Sequence, residues 1–339
     1  MQTKAKKFEQ PQNIQKTVDL VVRSKRPAAM SLDLWQGDNV IMSNALVTSI
    51  HRLDMNGKRV VGLALSKIEQ QKSAYLNETG EWCVELSSAN FAETFQLEGS
   101  DVYLSMQRGV NELMHAHATM TTLDKETNRQ KVVKMNWTSW SAYVEGQGKI
   151  KLAFSQHLTP HITRFVQESG GGYSLYKITQ AGRLRSVYAW RLLEMFSSFR
   201  DTGWMSIDID ELHERLETAS SMRTNFGQFK LYCLNVVVQE LREKCHLDVK
   251  FEATKEGRRY TKIKFSFRDD PEFVASIKMV ENLPTEKTKT VAGDTSNEAN
   301  TQSIWHASNL KNNQTSQKLE ENENSNDPAD SFFDDIPVD

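Results

Sequence analysis

"HLDVKFEATKEGRRYTKIKFSFRD" (residues 246–269) alternates on both sides of a turn. Leu247, Val249, Phe251 and Ala253 fall on one face, and Ile263, Phe265 and Phe267 repeat the pattern on the return. A period of two with one apolar face predicts a β-hairpin buried on one side. Its tip, residues 255–259, carries Lys255, Arg258 and Arg259, and the outward face of the return strand adds Lys262 and Lys264. Crowding cations onto one small hairpin needs a reason in a chain whose net charge is only −2.

Working outward, the segment before the hairpin has helical spacing from Asn225 to Lys244. Phe226, Phe229, Cys233, Val236, Val237 and Leu241 predict its buried side. Gln228, Tyr232, Asn235 and Gln239 form the opposite stripe, flanked by Lys230 and Leu231. Before it lie a helix, "RSVYAWRLLEMFSSF" (residues 185–199), and a short strand and helix, "WMSIDIDELHERLE", with Asp208 and Glu211 spaced as a capping box. The first half of the chain repeats this order. "KRVVGLALSKI" predicts a helix, "WCVELSSANFAETF" a strand and helix, and "GSDVYLSMQRGVNELM" a longer helix. In that longer helix Val102, Met106, Val110 and Leu113 mark the core side, with Ser100 as expected N-cap and Tyr103, Gln107 and Arg108 as exposed candidates. A second hairpin follows, with Lys125, Arg129 and Lys131 around its tip, and Trp82 and Trp204 mark equivalent places in the two halves. The repeat is one of pattern rather than identity.

Helix, short strand, helix, longer helix, hairpin is the order of a winged helix. In that fold the longer helix reads the major groove and the wing lies along phosphates. The reading explains the cations, because a wing tip gains affinity from charges whose counterparts are on DNA. Any exposed hairpin tip tends to be polar, but a position directly after a helix-turn-helix pattern, in both halves, favours the wing. The expected fold is therefore α+β, two tandem winged-helix domains. Their boundaries are 43–169 and 170–275, with Gly170-Gly171-Gly172 between them, a weakly structured extension over 1–42 and an acidic tail over 281–339 that composition predicts to be disordered. Those last residues hold 12 acids and 4 bases, which leaves 38 bases and 32 acids before them, a net of +6 on the folded part.

The bulk numbers exclude other classes. At 339 residues, 38% hydrophobic and 25% charged, the chain suits soluble domains, with no apolar run long enough for a membrane span and no signal peptide. Cys83, Cys233 and Cys245 are far apart and indicate neither a disulfide framework nor a zinc site. A reducing bacterial cytoplasm is the expected location, and no cofactor is expected. No Gly-x-x-x-x-Gly-Lys-Ser/Thr loop is present for ATP. His115-Ala116-His117, on alternate positions of a strand, would share a face as a metal pair does, and Tyr173 and Tyr176 could then attack a DNA phosphate. This nicking-enzyme reading is the alternative to a non-enzyme, as is a plain winged-helix transcription repressor.

Several segments carry a family resemblance. "SNALVTSIHRLDMNGKRVVGLALSKI", "SDVYLSMQRGVNEL", "YSLYKITQAGRLRSVYAWRLLEMF" and "FKLYCLNVVVQEL" with "GRRYTKIKFSF" resemble, in order and spacing, the replication initiators of iteron-bearing, theta-replicating bacterial plasmids, the family that includes the F-plasmid initiator. The match covers roughly residues 43–270. It implies that monomers grip direct repeats of double-stranded origin DNA, help open the origin, and load the host replicative helicase with help from the host initiator. It also implies that dimers, joined through the first domain, repress the initiator's own gene at an inverted repeat. The resemblance departs where family members often carry successive Arg or Lys early in the second reading helix, for here Lys230 is followed by Leu231 and Tyr232. The DNA-binding candidates are thus Ser100, Tyr103, Gln107, Arg108, Lys125, Arg129, Lys131, Asn225, Gln228, Lys230, Leu231, Tyr232, Asn235, Lys255, Arg258, Arg259 and Lys262. The tail end, Phe332-Phe333-Asp334-Asp335-Ile336-Pro337, resembles the acidic tip of bacterial single-stranded-DNA-binding proteins, which implies a tether for host replication enzymes. The final Phe of that tip is replaced here by Val338-Asp339.

Overall fold

The computed structural model describes residues 28–124, 126–144, 146–163 and 172–281. β1 (Asn39–Ser43) and α1 (Asn44–Val47) lead into the first winged helix. Its α2 (Met55–Gln70) is capped by the Asp54 side chain, which accepts from the amides of Asn56 and Gly57, and it ends at Gln71 in a left-handed turn. β2 (Ala74–Leu76), β3 (Trp82–Ser87) and α3 (Ser88–Phe95) follow, with Val84 and Leu86 buried and Glu85 outward, as strand alternation requires. α4 (Val102–His115) buries Met106, Gly109, Val110 and Leu113 against α2. The N-cap position of α4 belongs to Asp101 and not Ser100, and no side chain caps it.

Two hairpins, not one, come after α4. β4 (His117–Leu123) pairs with β5 (Gln130–Asn136), and β6 (Thr138–Val144) pairs with β7 (Lys149–Phe154). It is β7 that joins β3, in the order β2-β3-β7-β6. The expected first wing is therefore corrected. The β4–β5 hairpin exists, but the pairing back to the strand between the helices is made by the β6–β7 hairpin.

The second unit has the simpler form. β8 (Tyr173–Lys177), α5 (Ile178–Gly182), α6 (Val187–Ser197), β9 (Trp204–Asp208), α7 (Ile209–Leu216) and α8 (Ser220–Thr224) lead to its long helix. That helix comprises α9 (Phe226–Phe229), a π-helical turn (Lys230–Leu234) and α10 (Asn235–Cys245). β10 (Leu247–Glu256) and β11 (Arg259–Asp269) form the hairpin read from the sequence, β9 completes the sheet in the order β10-β11-β9, and α11 (Pro271–Glu281) closes the described chain. Asp208 takes the N-cap position of α7 without making a cap bond. The expected capping box is absent, because Asp208 faces Lys262 Nζ at 3.8 Å and Glu211 pairs with Arg215 one turn on.

One core runs through both units. β1 pairs antiparallel with β8, from Asn39↔Lys177 to Ser43↔Tyr173, and Trp190 of α6 packs near Phe95 of α3. The expectation of a weakly structured extension over 1–42 is thus corrected for residues 28–42. Trp35 is 7% exposed, 4.9 Å beneath the Arg183 guanidinium and beside the rings of His246 and Phe273. The Asp269 amide donates to Ala29 O at 2.7 Å, and the Ser31 amide donates to Asp269 Oδ2 at 2.6 Å. Gly170, Gly171 and residues 282–339, including Phe332 to Pro337, lie outside the described residues.

Candidate nucleic-acid interface

The second reading helix presents the expected stripe. Gln228, Lys230, Leu231, Tyr232, Asn235 and Gln239 are exposed, Leu231 by 56% and Tyr232 by 62%. Asn225 is exposed too, but its Oδ1 accepts from the Gln228 amide at 3.2 Å, so this side chain serves as the helix cap. Gln239 Nε2 donates to Glu243 Oε1 at 2.8 Å. Val236, expected in the core, is 49% exposed, and Leu234 is buried instead. The π turn explains the change: one extra residue in the turn sets back the phase of everything after it, and such bulges gather at functional sites.

The wing is tied to this helix by rings. Tyr260, near the start of β11, stacks on Phe226 at 3.9 Å between centroids, and the Lys255 ammonium lies 4.5 Å from the Tyr260 ring. At the tip, Gly257 adopts φ +64°, a conformation that a residue with a Cβ resists. Arg258 and Arg259 are exposed and form no ion pair among the described residues. Lys262 shares its charge with Asp208, and the Lys264 ammonium lies 5.6 Å from the Trp204 ring.

In the first unit the placement is mixed. Arg108 is exposed on α4, and Arg129 and Lys131 are exposed on the β4–β5 hairpin. Tyr103 and Gln107 are half-buried, and the Tyr103 hydroxyl is enclosed without a hydrogen-bond partner, so the two are not the exposed candidates expected. Ser100 is exposed, and its hydroxyl donates to Asp101 Oδ1 at 3.5 Å. Lys125 lies outside the described residues.

The geometry behind the nicking alternative is not present. His115 ends α4, Ala116 caps it and His117 begins β4, so the two histidines do not alternate along one strand. Tyr176 is buried with its hydroxyl donating to Glu194 Oε1 at 3.2 Å, while Tyr173 is 38% exposed. No group of three or more His, Cys, Asp or Glu stands ready for a metal ion among the described residues.

Residues 39–197 match the family described as Initiator Replication protein, WH1, and residues 208–267 match Initiator Rep protein, WH2. The chain belongs to this replication initiator family. It is similar to the PI protein of Escherichia coli, 25% identical over 269 residues that cover 71% of this chain and 87% of the relative. An uncharacterized 27.6 kDa protein of Escherichia coli is 21% identical over 224 residues, 65% of this chain and 91% of that one. The crystal structure of Pi initiator protein in complex with iteron DNA shares the fold, with a TM-score of 0.57 and 22% identity over 70% of this chain and 99% of that chain. No described helix of the initiator is long and apolar enough to cross a membrane.

Between α2 and α6 the initiator holds a buried charge cluster that periodicity did not reveal. Lys58 Nζ lies 2.8 Å from both carboxylate oxygens of Glu194, and Arg191 NH1 donates to Glu194 Oε2 at 2.6 Å. Arg191 NH2 also donates to the carbonyls of Val47 and Ser49. His51 Nε2 lies 2.7 Å from Leu46 O, which can only accept, so Nε2 carries the hydrogen and Nδ1 accepts from Lys58 at 2.9 Å. Burial, with the charges of Arg191 and Lys58, keeps this imidazole neutral by holding it well below its usual range. Burial would raise the Glu194 carboxyl, but Lys58 and Arg191 hold it down. Burial pushes Lys58 down to about 8, which leaves it charged at neutral pH. The cluster joins α2, which packs against α4, to α6, which packs against α10.

Proposed function

We propose that this initiator starts replication of a bacterial plasmid by binding direct repeats at its origin. The carrying observation is the pair of exposed reading helices, the second followed by a cationic wing, built on one shared core. The similar Pi initiator was solved with iteron DNA, which supports the same ligand class here. Two winged helices on successive major grooves span roughly twenty base pairs, two turns of about 10 each.

As part of this reading, monomers open the origin and load the host replicative helicase with the host initiator, and dimers repress the gene at an inverted repeat. Exposed Tyr75, Leu76, Trp140 and Tyr143 on the β2-β3-β7-β6 sheet support self-association through the first unit. The tail end, Phe332 to Pro337, serves host replication enzymes, and the protein acts in the cytoplasm without catalysing a reaction.

Footprinting on cloned origin DNA tests the proposal. Protection should recur at each direct repeat beside an A·T-rich stretch, and supercoiled origin DNA should stay unnicked with Mg²⁺ or Mn²⁺. Protection of a lone operator with no repeats would favour the repressor reading, and a covalent adduct at Tyr173 would establish an enzyme.

A further inference from the structure

We infer that the first winged helix reads bases through Leu104, Arg108 and Asn111. Of these only Arg108 belongs to the set expected from the sequence. The inference rests on the proposed DNA-binding function and assigns the residues that set its specificity.

An α-helix advances about 100° per residue. Counted from Leu104, Arg108, Asn111 and His115 then fall within an arc of about 60°. All four are exposed, whereas Met106, Val110 and Leu113, on the opposite side, are buried. Tyr103 falls beside the core face and Gln107 at the margin of the exposed face, and both are half-buried. The exposed stripe therefore centres on Leu104 and its fellows.

The second reading helix supplies an independent parallel. Its exposed residues Gln228, Tyr232, Asn235 and Gln239 have the same sequence spacing of four, three and four as Leu104, Arg108, Asn111 and His115, although the π turn changes their relative phase. Each stripe places an asparagine third, and neither contains a carboxylate that phosphates would repel. Leu104 is 44% exposed, an apolar side chain that helix packing does not use. The side chains of Arg108 and Asn111 make no hydrogen bond or ion pair with any described residue, so their donors are free.

The chemistry fits base edges. Arginine bonds guanine O6 and N7 in two places, asparagine does the same for adenine N6 and N7, and an apolar side chain packs on the thymine methyl. Leu104 and Arg108 sit in the first two turns, where reading helices make most of their base contacts. His115, at the far end, borders the groove.

The test measures binding of the full chain to a set of repeats, each altered at one base pair, with scrambled DNA as baseline. Asn111→Ala should weaken binding to the native repeat about 5- to 150-fold, and the loss should vanish on repeats already changed at one or two adjacent base pairs. Leu104→Ala should shift preference at a neighbouring position. Thermal unfolding of each variant, expected to match the parent, reports that the exposed substitutions leave the fold intact. An equal loss for Asn111→Ala on native and scrambled DNA, or no loss at all, overturns the inference. If the unsubstituted protein itself fails to prefer repeats over scrambled DNA, the proposed function falls instead.

Discussion

Glu194 receives Lys58 on both carboxylate oxygens at 2.8 Å, joining helices 136 residues apart in the chain. Each partner is 1% exposed, and Arg191 completes the neutralisation. Two cations around one anion, with His51 held neutral, leave the cluster tolerant of burial only while Glu194 keeps its charge. Glu194→Gln should therefore cost about 3–5 kcal/mol in urea unfolding, the penalty of stranding buried charge. A loss under about 1 kcal/mol would mean that water reaches the cluster.

The wing predicts a salt signature. Arg258 and Arg259 face solvent without partners among the described residues. Replacing both with Ala should weaken binding to all sequences alike and lower the slope of log K against log salt by about two, near 0.9 per phosphate contact. Binding titrations from low to moderate salt check this. An altered base preference with an unchanged slope would show the wing reading bases.

Gly109 decides how closely the first reading helix approaches α2. A Cβ there would stand 2.5 Å from Asn56 O and 2.7 Å from its carbonyl carbon, both backbone atoms that cannot swing away. Gly109→Ala should lower stability by about 1–3 kcal/mol through overpacking. Displacing α4 should also reduce affinity for the repeat more than for random DNA, as paired titrations would report.

Asp269 couples a strap formed by residues 28–38 to pH. Burial pushes its carboxyl up to about 6, although the Ser31 amide opposes the shift. An unfolded aspartate titrates near about 3.9, so the folded state binds more protons between the two values. The contribution is fully present below about 4 and is lost as pH rises through about 6. Stability should fall across that window by about 1–2 kcal/mol after screening by water, and Asp269→Asn should abolish this component. Urea midpoints at pH 5 and pH 8, in parent and variant, measure the difference.

By itself the sequence determined the elements whose periodicity reports burial directly. The β10–β11 hairpin was legible because Leu247, Val249, Ile263, Phe265 and Phe267 alternate, and the two long helices because their apolar residues recur every three or four. The wing cations were legible because a hairpin tip is local. Tertiary structure decided the rest. Tyr103 and Gln107 lie to one side of the core stripe, and only tertiary packing shows which side is covered. The π turn at Lys230–Leu234 moved Val236 outward and Leu234 inward, a change of phase that no count along the chain detects. Residues 28–43 carry little pattern of their own because their order comes from distant partners: β8 for β1, and Arg183, His246 and Asp269 for the strap. Lys58, Arg191 and Glu194 look like ordinary helix-surface charges in sequence. Their burial follows only when α2 and α6 meet, since an ion cluster can leave water only where several distant charges and carbonyls converge to replace it.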